Sequence, residues 1–227
     1  MNTYKDIEYS LATSERKTAS IYIERDGKVS VLAPANWSQD KIEQVLERKR
    51  GWIYRGLAEW EDLNAKRVSR EFVSGEGFLY LGRTYRLRIV EEQAEPLMLR
   101  GGYFCLRSDL VPQAQETFKA FYRKKAYSKI LDRVEYYRTK MGITYGNIRV
   151  MELQNRWASC SNGGDLNFHW KCMMAPLNMI DYIVVHELAH VKHANHSDAF
   201  WGEVDKIMPD YKVRKAWLRE NGAGMDV

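Results

Sequence analysis

Met179-Ile180-Asp181-Tyr182-Ile183-Val184-Val185-His186-Glu187-Leu188-Ala189-His190-Val191-Lys192-His193-Ala194-Asn195-His196 holds four of the chain's five histidines and an intact H-E-x-x-H at 186–190. Ile180, Ile183, Val184 and Leu188 recur at helical spacing, which predicts a core helix with the histidines at the edge of its buried stripe. On such a helix His186 and His190 lie one turn apart on one face and can turn both imidazoles toward a single tetrahedral ion. Glu187, rotated from them by about 100°, can reach a water on that ion without being a ligand. The spacing therefore predicts one zinc ion held by His186 and His190, with Glu187 as catalytic base. The bland alternative is a core helix whose histidines only hydrogen-bond to neighbours, but basic side chains are seldom buried without a reason.

A third ligand has four candidates. His196 follows Ala194-Asn195, where Asn can take a left-handed conformation, end the helix and return the chain toward the metal. His193 stays on the face of His186 and His190 if the helix continues, yet three ligands stacked along about 10 Å of axis cannot share one ion about 2 Å away. His196 is the favoured candidate. Asp198 and Glu203 remain open, the latter because a second helix over 197–208 could present a carboxylate.

Arg156-Trp157-Ala158-Ser159-Cys160-Ser161, Asp165-Leu166-Asn167, Ala175-Pro176, the 180–190 run, Asn195-His196-Ser197 and Phe200-Trp201 follow in order. This pattern resembles the YgjP-like metallopeptidases, and the likeness extends upstream through Ala33-Pro34 and Trp52-Ile53 to Tyr80-Leu81-Gly82-Arg83-Thr84-Tyr85. That family is related to the SprT-like and WLM zinc proteases. The resemblance implies a zinc site made by His186, His190 and His196, with Glu187 as base, acting on a protein or peptide substrate. One departure is Ala158, where the family usually has Gly.

Outward from this core, the chain reads as α+β. Ile21, Ile23, Val29 and Val31 alternate about Arg25-Asp26-Gly27-Lys28, a hairpin turn signal. Ser38 is a helix N-cap candidate before Ile42, Val45, Leu46, Trp52, Ile53, Leu57 and Trp60, which repeat at helical spacing as far as Asp62. Strands follow at 78–81, 84–90, 97–99 and 103–106, and a long amphipathic helix at 113–140. Ile148 to Leu153 and Asp165 to Lys171 read as strands, the second after a turn at Ser161-Asn162-Gly163-Gly164. No sequence repeat is visible. The expected organisation is a β-rich N-terminal region with one helix over 1–111, then a zincin-like domain over 112–227 with an active-site helix and a small antiparallel sheet. Strand 165–171 is either the peptide-binding rim, by strand addition, or one half of a purely structural hairpin packed on the active-site helix. His169, on the face opposite Phe168, is not expected to ligate.

Arg156, Tyr182 and Tyr211 are candidates for binding substrate and steadying an oxyanion. Asp181 is placed either to orient a ligand histidine or to cap the helix. Cys105, Cys160 and Cys172 are three in number with no C-x-x-C pair, so neither a disulfide framework nor a cysteine metal site is expected. Neither a membrane span nor a signal peptide is visible, so a cytoplasmic protein is expected. The balance of 35 Lys plus Arg against 30 Asp plus Glu gives +5. Clusters at 48–50, 123–125 and 212–219 read first as solvated helix faces and second as a surface for weak nucleic-acid association. Two other function classes stand beside the peptidase. One is a nucleotide phosphohydrolase, which no Walker-type loop supports; the other is a zinc-stapled binding module, which would have no use for Glu187.

Overall fold

Ile21, Ile23, Val29 and Val31 pair across a hairpin as their alternation predicts. The computed structural model describes residues 1–24, 27–64, 69–153 and 156–227, with the backbone alone described for 59–64. Arg25 and Asp26 of the expected turn, and the Trp60 side chain, lie outside the described residues. The chain divides into two compact units, Met1–Lys66 and Arg67–Val227, whereas the sequence places a boundary at 111/112.

The first unit has strands β1 (Asn2–Tyr4), β2 (Ile7–Ser14), β3 (Ser20–Ile23) and β4 (Val29–Pro34), then helix α1 (Gln39–Asn64). The strand order is β1-β2-β4-β3. One face of α1 buries Ile42, Leu46 and Ile53 against Ile7, Tyr9, Val29, Val31 and Ala33. Trp52, placed by its spacing on the apolar stripe, is 46% exposed.

The second unit opens with β5 (Gly77–Tyr80), β6 (Arg83–Val90), β7 (Leu97–Arg100) and β8 (Tyr103–Arg107), followed by the long helix α2 (Ala114–Met141). The order β5-β6-β8-β7 repeats the plan of the first sheet: an antiparallel hairpin, a parallel pairing of second strand with fourth, a closing antiparallel hairpin, then a helix. Even the first turn recurs, with positive φ at Lys5 (54°) between Tyr4 and Tyr9 and at Leu81 (49°) between Tyr80 and Tyr85. The chain thus carries a structural repeat that its sequence conceals, because strand pairing constrains alternation and turns far more than it constrains side-chain identity.

Helix α2 places residues 67–111 in the same unit as the 180–190 helix. Its N-terminal half packs Phe118 on Phe78, with ring centroids 4.2 Å apart, and the Tyr122 hydroxyl donates to the Leu79 carbonyl at 2.6 Å. Its C-terminal half packs against α3 (Leu177–Lys192), where Arg133 grips Asp181 with two bonds of 2.6 and 3.0 Å. Between these two helices the chain forms β9 (Ile148–Met151), β10 (Ala158–Cys160) and β11 (Leu166–His169); α4 (Asp198–Ile207) and α5 (Tyr211–Asn221) follow α3. The small sheet is mixed, not purely antiparallel as expected, because β11 pairs antiparallel with β10 and parallel with β9.

The turn Leu81-Gly82 fixes the start of α3. The Leu81 and Gly82 N–H groups donate to the Met173 and Met174 carbonyls at 2.7 and 3.0 Å, adding the hairpin tip to the segment that enters the helix. Gly82 has φ +76°, and a Cβ there would lie 2.9 Å from the Pro176 Cα and 2.7 Å from its Cγ. Gly82→Ala is therefore expected to destabilise this unit by about 2 to 3 kcal/mol, strain and overlap adding together, as read by denaturant unfolding.

Candidate active site

Helix α3 is buried on nearly every side over Met179–Val185, which is why its apolar run is continuous rather than a stripe. His186 and His190 emerge half-buried at its end, with ring centroids 4.9 Å apart. The helix stops at Lys192, two residues earlier than Ala194-Asn195 suggests. His193 takes an extended conformation (φ −131°) as C-cap, and Asn195 has no positive φ. Only then does the chain return. Ser197 caps α4 by accepting from the Phe200 N–H, and this fixes His196 one residue before the cap.

The return brings His196 to the helical pair. One ring nitrogen from each of His186, His190 and His196 lies within 4.8 Å of the others, and the Nε2 atoms of His186 and His196 are 3.0 Å apart. Ligands about 2.05 Å from a tetrahedral zinc stand roughly 3.3 Å from one another, and the His186–His196 pair is already near that spacing. Phe200, fully buried, floors all three rings at 4.9, 4.5 and 4.8 Å. Trp201 stacks on His196 at 5.5 Å and on Tyr211 at 5.0 Å.

The electrostatics suit a cation. Burial, then the neighbouring imidazoles, push His186 down to about 3, and burial lowers His196 as well, so both stay neutral and ready to donate lone pairs. His190 Nδ1 lies 3.0 Å from the His193 carbonyl. A neutral His190 donates its Nδ1–H there and leaves Nε2 free for a metal. Burial pushes Glu187 up to about 8 against the opposing charge of Arg156 and the Cys160 N–H that faces it. Its Oε2 is buried and has no partner among the described residues. Three converging imidazole nitrogens beside a side-chain oxygen of Glu187 without a partner fit one divalent cation and the water it carries.

The other expected residues divide. Tyr182, one turn before His186, meets its ring edge-on at 5.8 Å; burial, then the charges of Tyr211 and Glu187, raise its hydroxyl to about 12, which keeps it a proton donor at neutral pH. Arg156 is exposed beside Glu187. Asp181 neither caps α3 nor touches a histidine; it lies within the helix, on the side clamped by Arg133. Glu203 is held by Lys192 at 2.7 Å and Lys206 at 3.5 Å, and Asp198 is exposed in the first turn of α4. His169 is buried, its Nδ1 accepting from the Lys171 N–H at 3.0 Å.

The expected rim moves by one strand. Strand β11, read as the edge, is central and bonded on both sides, so its backbone has no free row for a substrate. The edges of this sheet are β9 and β10, and it is β10 whose Cys160 faces Glu187. No strand signal is visible there, because three residues are too few to show alternation. Two further features escaped: the His193 carbonyl, since its role is backbone, and Lys215, whose ammonium sits 4.8 Å over the Trp201 ring.

The family described as YgjP-like, metallopeptidase domain, matches residues 17–221. Among solved structures, the metallopeptidase zymogen of Pyrococcus abyssi abylysin is 25% identical, covering 43% of this chain and 99% of its own, with a TM-score of 0.40. The metallopeptidase zymogen of Methanocaldococcus jannaschii jannalysin is 21% identical, covering 39% of this chain and 94% of its own, with a TM-score of 0.35. No curated protein matches the chain. Among the described residues, no helix is long and apolar enough to cross a membrane.

Proposed function

This chain belongs to the YgjP-like metallopeptidase family, and from that premise we propose that it is a zinc-dependent peptidase in which His186, His190 and His196 hold one ion and Glu187 is the general base. The observation that carries this reading is the convergence of three imidazole nitrogens within 4.8 Å beside a buried carboxylate oxygen that lacks a partner. Bound there, zinc would acidify a water and polarise the carbonyl of the scissile bond.

Each step beyond that belongs to side chains and backbone of this chain. The unpartnered Glu187 Oε2 accepts the water proton and delivers it to the leaving amine. The free edge of β10 takes the substrate backbone as an added strand, which lays the scissile bond across the mouth of the site. Tyr182, Tyr211 and Arg156 are the donors assigned to the charge that develops on the carbonyl oxygen. Phe200 and Trp201 hold the imidazoles in place from below and from the side.

The basic clusters take a smaller part. Arg123 pairs with Glu152 at 3.2 Å and Lys124 with Glu95 at 3.6 Å, which weakens any field that a polyanion would feel at that end of α2. A cytoplasmic setting, with protein or peptide as substrate, completes the reading. Its test offers denatured proteins, a peptide library and nucleoside triphosphates to zinc-loaded and chelator-treated protein. Peptide cleavage that disappears with chelator and returns with zinc is expected. Release of phosphate from the triphosphates with peptides untouched would replace the peptidase by a phosphohydrolase.

A further inference from the structure

We propose that Lys215 is the substrate-anchoring cation of this site and that it selects peptides carrying a carboxylate beside the scissile bond, either an acidic side chain or the substrate's own C-terminus. The inference rests on the peptidase reading and names the substrate class for it.

Lys215 projects from α5 and is exposed, with its ammonium 4.8 Å over the Trp201 ring. Trp201 is itself stacked on His196 at 5.5 Å. The cation therefore stands one ring away from His186 and His196, which the Trp201 ring meets at 5.8 and 5.5 Å. No carboxylate among the described residues pairs with it. Arg214, one residue earlier, bonds Asp210 at 2.9 Å, whereas Lys212, one turn before on the same helix, rests over the Tyr211 ring at 5.9 Å, away from the histidines.

An unpaired ammonium beside three imidazoles that would carry a divalent cation repels that cation. Arg156 adds a second basic side chain on the Glu187 side, so cations flank the site from two directions. Low-dielectric aromatic walls concentrate such a field and draw in anionic ligands. The indole face of Trp201 also limits where the ammonium can sit, so less side-chain freedom is lost when a carboxylate arrives. Both sources of carboxylate present the same chemistry to Lys215.

Four versions of one peptide separate them: Gln or Glu beside the scissile bond, each with a free or an amidated C-terminus. Zinc-loaded protein is expected to show kcat/KM about fivefold higher for the version whose carboxylate reaches Lys215, with the advantage shrinking at high salt. Lys215→Arg should keep the preference, Lys215→Met should bring the ratio close to one, and Lys215→Glu should turn it toward a peptide with Lys at that position. The same peptides titrated calorimetrically into zinc-loaded Glu187→Gln protein should bind in the same order. Equal rates and affinities for all four peptides, or a preference that survives Lys215→Glu, would overturn the assignment. If the wild-type protein cleaves no peptide, the peptidase reading fails, and the calorimetric order still decides the role of Lys215.

Discussion

Glu187→Gln is expected to keep its zinc and lose peptide turnover by about 10³-fold, the range that a positioned general base supplies. The substitution preserves shape and the oxygen that can face the Cys160 N–H, but an amide cannot accept the water proton. Because Glu187 is not one of the three convergent nitrogen donors, metal content measured by elemental analysis should stay at one ion per chain. This pairing of intact metal with absent turnover separates a base from a ligand. Turnover retained within about tenfold of wild type would fall below what general-base catalysis contributes and would sink the mechanism. Loss of the metal together with the activity would recast Glu187 as a ligand.

The second large effect is on stability. A ligand that binds only the folded state stabilises it by about 4 kcal/mol when present at a thousand times its dissociation constant. For a unit of this size that corresponds to roughly 10 °C in Tm. Chelation is therefore expected to lower the main thermal transition by about that amount, and added zinc to restore it. His186→Ala and His196→Ala should behave like chelated protein and ignore added zinc, since each removes one of three nitrogens. His193→Ala should respond like wild type, because its contact with His190 runs through the backbone carbonyl. A zinc response in His196→Ala but not in His193→Ala would move the third ligand by three residues.

The sequence made legible whatever local periodicity encodes. Strands β5 to β8, the hairpin of β3 and β4, helix α2 and the pair His186 and His190 all announce themselves within a window of a few residues, and each is found within a residue or two of its expected place. The return of His196 was legible as a turn, although the turn is an extended C-cap at His193 rather than a left-handed Asn195. Features set by distant partners were not legible. Asp181 reads as a cap or a supporting carboxylate until Arg133, on another helix, is seen to hold it. The identity of the edge strand depends on β9 pairing with β11 from the far side, which no pattern within β11 reveals. The packing of α2 is of the same kind: Phe118 and Tyr122 read as part of the back wall of the catalytic domain, and Phe78 and Leu79 are found against them. Lys215 was visible only as one charge in a basic run, because its neighbour Trp201 belongs to a different helix.

The docking of Leu81-Gly82 on Met173-Met174 has a kinetic consequence. Those partners are roughly 90 residues apart, so closing the loop between them costs substantial chain entropy before any contact rewards it. Local helices can form in the nascent chain, yet the entry to α3 is pinned only after the hairpin tip has arrived. Refolding with zinc present should therefore show metal capture lagging behind the recovery of helical signal, with competence to bind the ion emerging as one of the last events on the way to the native state.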